Sequence, residues 1–201
     1  MSSFGETRLG GFVVGLLVLC GLMVGVGVLM PSGDATPAGY HEMASPAKPL
    51  RRVIPALKIR APIKPIEVND HQVLDPPRNP RDVGWWRRSA KPGATQGQTV
   101  LTGHTVHTGG GVMDRLGKLH KGQKVKVVTR KGTMVYRTTK VVTWTKEELA
   151  ERAVDLFSQE REDERLVLIT CSGWTGSSYT SNVIVFAEPL GVRDAKDEKK
   201  S

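Results

Sequence analysis

From Leu9 to Met30 the chain reads LGGFVVGLLVLCGLMVGVGVLM, without a charged residue anywhere in it. Coiled as a helix at about 1.5 Å per residue, this run spans the ~30 Å hydrocarbon core of a bilayer. It predicts a transmembrane helix over 9–30. A cleaved signal peptide fits less well, because its apolar stretch is about 7–15 residues and ends at a small-x-small site. This run is longer and leads into PSGDATPAG. A lipid-modified Cys20 fits poorly too, since the bulky Leu19 precedes it. A buried core helix would rarely be so long or so rich in glycine. Arg8 and the terminal amine precede the run, while Asp34 and Glu42 follow it. The positive-inside bias then puts residues 1–8 in the cytoplasm and everything after the span outside the cell, with Glu6 weakening that bias.

Beyond the span, residues 31–49 carry Pro31, Pro37, Pro46 and Pro49 among Ser, Ala and Gly. They read as a semi-extended linker. From Val53 onward the pattern changes to short apolar runs rich in β-formers, with expected strands at 53–60, 71–74, 98–103, 123–129, 134–143, 165–171 and 182–188. KVKVV and MVYRTTKVV, joined by TRKGT, read as a hairpin with Gly132 in its turn. One helix is expected, opened by Thr145 as N-cap with Glu147 and Glu148 in its first turn. Its stripe of Leu149, Ala153, Leu156 and Phe157 has helical spacing and reads as core packing rather than a binding groove. A short helical turn is expected in 113–119. The whole implies one mostly-β domain over 50–190, a barrel with short helices, followed by a charged tail at 191–201.

Charge and cysteine content narrow the function. The 201 residues carry a net charge of +9, and residues 50–91 hold ten Lys/Arg against four Asp/Glu. This fits either a solvated basic face or contact with an anionic wall polymer or lipid headgroup. A domain outside the cell disfavours nucleic acid. With only Cys20 and Cys171, the chain can build neither a disulfide framework nor a four-thiolate zinc site. Cys20 falls in mid-span, so Cys171 stands as a lone thiol in an oxidising compartment, which points to a reactive group. Two strand ends deliver the relevant residues. TVLTGHT ends an apolar strand at Gly103 and presents His104, and RLVLITCSGW ends another in Cys171. A thiol and an imidazole on rigid strand ends suit thiolate nucleophilic catalysis. Taken singly, each residue also fits a structural role, and a membrane-anchored structural β-domain with a buried thiol stays open at this point. Trp174 and Tyr179 suit either a peptide groove or the packing of the barrel end. His107 and His120 have no spacing that suggests metal or catalysis.

In the order of these motifs the chain resembles a sortase, most closely the class F and class E enzymes of Gram-positive actinobacteria. The resemblance runs from Val53 to Leu190. VIPALKIRAPIKPI resembles the family's opening strand pair, and DPPRNPRDVGWW its following proline-rich turn. TVLTGHT resembles the segment of the catalytic histidine, with His104 in that role. HTGGGVMDRLGKLHKGQKV continues in the class pattern. LVLITC resembles the T-L-x-T-C signature at Leu168, Thr170 and Cys171, with Val167 in place of the first Thr. The resemblance implies an eight-stranded barrel that carries a cysteine transpeptidase. Cys171 would attack an LPxTG-type sorting signal on a secreted protein, and His104 would serve as acid and base. The thioacyl intermediate would pass to a peptidoglycan-precursor or pilin amine. Thr170, Trp174 and Tyr179 would line the groove, and no metal or other cofactor would be needed.

One position departs from that pattern. The family sets an arginine just before the last strand, where it supports the substrate and the oxyanion. Here the segment reads SSYTSNVIVFA; Tyr179 and Asn182 fit, but the arginine position is Thr180. After Arg165 the only further arginine is Arg193. Loss of one oxyanion donor typically costs about 10²–10³ in rate. The departure leaves three readings: an active enzyme with a substitute donor, an inactivated enzyme, or a homologue that only binds sorting signals.

Overall fold

A computed structural model describes residues 36–70 and 73–193. The apolar run 9–30 and the end of the expected tail, 194–201, lie outside the described residues. The strands are β1 (Tyr40–His41), β2 (Pro49–Ile54), β3 (Ile59–Ile66), β4 (Val83–Trp86), β5 (Gln98–Gly103), β6 (Lys124–Thr129), β7 (Gly132–Thr145), β8 (Arg165–Trp174) and β9 (Tyr179–Arg193). Two short helices, α1 (Lys146–Glu151) and α2 (Ala153–Phe157), join β7 to β8. The ladder runs β9-β7-β6-β2-β3-β4-β5-β8, and β8 pairs back onto β9 to close an eight-stranded barrel. β1 adds a short edge pairing with Val192 and Arg193 of β9. The β3–β4 and β5–β8 pairs are parallel; the rest are antiparallel.

Local chemistry explains where these elements depart from the sequence expectation. The strand expected at 53–60 is interrupted by a 3-10 turn at Pro55–Leu57, and Lys58 takes a left-handed φ of 55°. The chain folds back there, so Ile54 pairs with Ile59. The strand expected at 71–74 is not formed at its described end. The Asn69 side chain accepts the Val73 N–H, and the Asn69 N–H donates to the Val73 carbonyl, which closes a loop instead. β4, read as part of a proline-rich turn, is a four-residue strand whose Trp85 is buried. The β6–β7 hairpin forms as expected, with Thr129 opposite Gly132 and Gly132 at φ 140°. The expected single helix breaks at Arg152 into α1 and α2. The Thr145 cap is present: its hydroxyl accepts the Glu148 N–H, and the Glu148 carboxylate accepts the Thr145 N–H.

The packed unit also reaches beyond the expected boundaries of 50 and 190. Tyr40 and His41 pair with β9, Met43 and Ala47 are buried, and β9 itself continues through Gly191 to Arg193.

Two cores follow from β-strand alternation. Leu166 and Leu168 of β8 face the barrel interior with Ile54, Leu101, Val125, Val127, Tyr136 and Val185. Val167 and Ile169 face outward and join Val100, Ile184 and Phe186 beneath the fully buried Leu156 of α2. β8 is therefore covered on both faces, which is why it reads as an unbroken apolar run rather than an alternating one. Of the expected helical stripe, Leu156 is the anchor, while Leu149 and Phe157 pack at the margin of this outer cluster. Full burial of one such side chain contributes about 1.5–3 kcal/mol.

Candidate active site

The outer face of the sheet defines the site. Val100, Val167, Ile169, Ile184 and Phe186 share that face. Successive strand residues alternate faces. Continuing each strand by two residues puts His104 beyond Val100 and Thr102 on β5, Cys171 beyond Ile169 on β8, and Asn182 and Thr180 before Ile184 on β9. Cys171 pairs with Asn182, and Asn182 pairs with Trp144 of β7. The parallel β5–β8 register, in which Thr102 faces Ile169, carries His104 to the position beside Cys171. Sequence reasoning ended one strand at Cys171, but β8 continues to Trp174 in its hairpin with β9; it is the pairing with β5 that stops just before Cys171, next to His104.

Thr170 clamps the two strand ends together. Its hydroxyl donates to the Gly103 carbonyl at 2.8 Å and takes the Thr105 hydroxyl at 2.7 Å. It is buried on the inner face. Expected as a groove residue, it instead fixes the spacing between the strand that carries His104 and the strand that carries Cys171. The reason is the pleat, which turns Thr170 away from the face of its neighbour Cys171. The Asn182 amide donates to the Thr170 carbonyl at 3.3 Å, which ties β9 into the same corner.

The His104 ring is oriented by backbone. Its Nε2 lies 2.9 Å from the Pro77 carbonyl and donates to it, which leaves Nδ1 without that partner. The loop that follows is braced by Asp114, whose carboxylate accepts the N–H groups of Val106 and Gly111. The Met113 N–H returns to the His104 carbonyl. The proline-rich segment that sequence reading assigned to a turn thus supplies the group that sets the imidazole.

Cys171 is a free, solvent-accessible thiol. Partial burial pushes its pKa up, and the positive charge of Lys146 pulls in the opposite direction. Tyr179 stands close enough that its phenol pKa is raised, first by desolvation and then by the charges of Cys171 and Asp114. Trp174 is 39% exposed; its ring stacks on His107 at 4.1 Å with an interplanar angle of 3°, and it meets the Tyr179 ring at 5.0 Å. His107, whose spacing suggested neither metal nor catalysis, therefore joins the loop after His104 to the end of β8. Thr180 is exposed, and its hydroxyl donates to the Gly173 carbonyl at 3.0 Å. Its one proton is used within the β8–β9 hairpin. Gly173 itself has φ +68°, and a Cβ there would stand 2.6 Å from the Thr180 Oγ1. Among the described residues no cluster of three or more His, Cys, Asp or Glu is arranged to hold a metal ion.

The arrangement combines an accessible thiol, an imidazole with one ring nitrogen anchored, and an apolar face that runs away from both. It is equipped for nucleophilic attack on an acyl carbon, followed by proton transfer to the leaving group. Comparison with known proteins bears on the family and the fold. A family model described as Sortase domain matches residues 53–190. Among solved structures, the chain is similar to sortase C-1 from Actinomyces oris, with 23% identity and a TM-score of 0.55 over 73% of this chain and 75% of that one. It is similar to sortase A from Corynebacterium diphtheriae, with 18% identity and a TM-score of 0.59 over 78% and 66%. It is also similar to sortase C1 from Streptococcus suis, with 20% identity and a TM-score of 0.57 over 75% and 76%. At these identities the likeness is one of fold. No curated protein matches by sequence.

Proposed function

This chain belongs to the sortase family of cysteine transpeptidases, and on that premise we propose that Cys171 and His104 carry a transpeptidation on an LPxTG-type sorting signal. The Cys171 sulfur, as thiolate, attacks the carbonyl carbon of the signal's Thr. The carbon–nitrogen bond to the next residue breaks, and His104 gives a proton to the departing amine. An incoming amine, from a peptidoglycan precursor or a pilin lysine, gives its proton back to His104 and displaces the sulfur. The chain is held at the outer membrane surface by the segment 9–30, with the barrel outside the cell.

The observation that carries this reading is the strand register. His104 directly follows β5 and Cys171 lies in β8 just past its parallel pairing with β5, both on one face, and Thr170 fixes the spacing between them. The Pro77 carbonyl favours the ring orientation with Nδ1 left for proton transfer. The test is a fluorogenic LPxTG-type peptide with an added amine. A thiol-dependent product is expected, and Cys171→Ala abolishes it; turnover that survives in that variant overturns the proposal. A second reading, a homologue that binds sorting signals without cleaving them, draws support from Thr180, whose hydroxyl proton is taken by Gly173. Mass spectrometry separates the two, because a thioacyl adduct on Cys171 forms only in the enzyme.

A further inference from the structure

The barrel has a second face that the chemistry at Cys171 does not use. β2, β3 and β6 contain no Asp or Glu. Ile54, Ala61, Ile63, Val125 and Val127 point inward and are buried. Strand alternation therefore turns Arg51, Arg60, Lys64, Lys124 and Lys126 outward. Lys126 is half-buried and the other four are exposed. The register gathers them, because Val53 stands between Lys126 and Arg60, and Arg51 lies two residues along on the same face. Between Thr36 and Pro65 the only acid is Glu42. Glu188, opposite Arg137 of β7, and Asp82, just before β4, bound the face. The ion pairs of Arg87, Arg88, Arg152 and Arg165 lie elsewhere.

Two features of its edge select a lipid surface over a soluble polyanion. Leu50, at the register shift where β2 joins β6, is 44% exposed, with Lys48 and Arg51 on either side of it in the chain. A polyanion in solution gains nothing from that side chain, whereas a bilayer takes an apolar group between its headgroups. The chain also enters the domain along this edge. Pro49 pairs with Thr129, Lys131 at the hairpin tip donates to the Ser45 hydroxyl, and the Lys124 ammonium lies 5.6 Å from the centre of the Tyr40 ring. Only residues 31–35 separate Thr36 from the apolar run 9–30.

We propose that the outer face of β6-β2-β3, with Leu50 at its edge, docks on the anionic headgroups of the membrane that holds the segment 9–30. The choice of that membrane rests on the anchoring reading above, while the cationic face does not depend on it. Cations this dense attract an anionic leaflet over about a Debye length. In the closed ladder β2 stands four strands from β8 in either direction. Docking through β2 therefore turns the outer face of β8, with Cys171, away from the lipid.

The test places the full chain in vesicles of phosphatidylcholine, with or without phosphatidylglycerol, and follows lysine acetylation by mass spectrometry. Lys146 of α1, outside the face, is the internal reference. Acetylation of Lys64 and Lys124 is expected to slow about fivefold in the anionic vesicles, and added salt to restore it. Arg51→Glu combined with Arg60→Glu removes the protection and Leu50→Gln weakens it, with the unfolding temperature as a check on folding. Equal acetylation in the two vesicles overturns the proposal. So does protection in neutral vesicles by added poly(glycerol phosphate) that matches the anionic lipid. Washing neutral vesicles with concentrated salt tests the anchor separately. Chain that washes off there, yet keeps Lys64 and Lys124 shielded on anionic vesicles, sinks the anchoring reading and leaves the docking face standing.

Discussion

At the scale of single residues, two positions divide the chemistry between them. Cys171 has the access a nucleophile needs, but its thiol pKa is pushed up by burial. Its reactivity is therefore expected to grow as pH rises. Thr180 cannot supply the complementary donor, because its hydroxyl points into the hairpin at Gly173. Thr180→Arg removes one hydrogen bond on an exposed edge and sets a guanidinium beside Cys171. It is expected to raise peptide turnover by about a hundredfold, read as kcat/KM on the same substrate. The sequence made Cys171 and His104 legible through their strand-end motifs and made Thr180 legible as a departure. It could not reveal the Pro77 carbonyl as the partner of the His104 ring, since that contact joins segments 27 residues apart.

Among the elements, the β7–α1 junction shows how a local cap fixes a change from strand to helix. Thr145 ends β7, caps α1 through the reciprocal bonds with Glu148, and directly precedes Lys146. Loss of such a cap costs about 1 kcal/mol. Thr145→Ala is therefore expected to lower Tm by about 2–5 °C in a domain of this size, measured by calorimetry, while Thr145→Ser retains most of it. The cap was legible in advance because Thr followed three residues later by Glu is a local signal. The break at Arg152 was not. Leu149 and Leu156 pack against the same outer cluster on either side of that break, so their spacing gives no sign of it. β4 was missed for a similar reason: its four residues sit between prolines and gain their strand pairing from β3 and β5 rather than from any pattern of their own.

Over the whole molecule, barrel closure buries groups that the local sequence leaves unexplained. Glu164, just before β8, accepts the Tyr136 hydroxyl and the Gly93 N–H in the interior, and burial raises its pKa to about 7. The folded chain thus holds that proton more tightly than the unfolded one. This contribution to stability is fully present below the ordinary carboxylate pKa of 4.5 and is lost as pH rises through about 7. Stability should fall by up to about 3 kcal/mol across that window, and Glu164→Gln should flatten the dependence in urea titrations. Arg52 is fully buried as well, with the Val112 carbonyl as its hydrogen-bond partner and a pKa lowered by burial to about 9. Neither residue carries a local signal of burial, since a charged residue in or just before a strand reads as solvent-facing until the ring is closed.

By itself the sequence determined the class of the fold, most of the strands, the helix cap and the pair of residues that the candidate chemistry needs. These are encoded over a few neighbouring residues, in side-chain alternation, turn glycines, a capping box and strand-end motifs. Only the tertiary structure decided that the strands carrying His104 and Cys171 lie side by side, that Thr170 braces them from the inner face and that Pro77 orients the imidazole. Each of these depends on pairings between segments far apart in the chain, and strand register is set when the barrel closes and both faces of β8 are buried together.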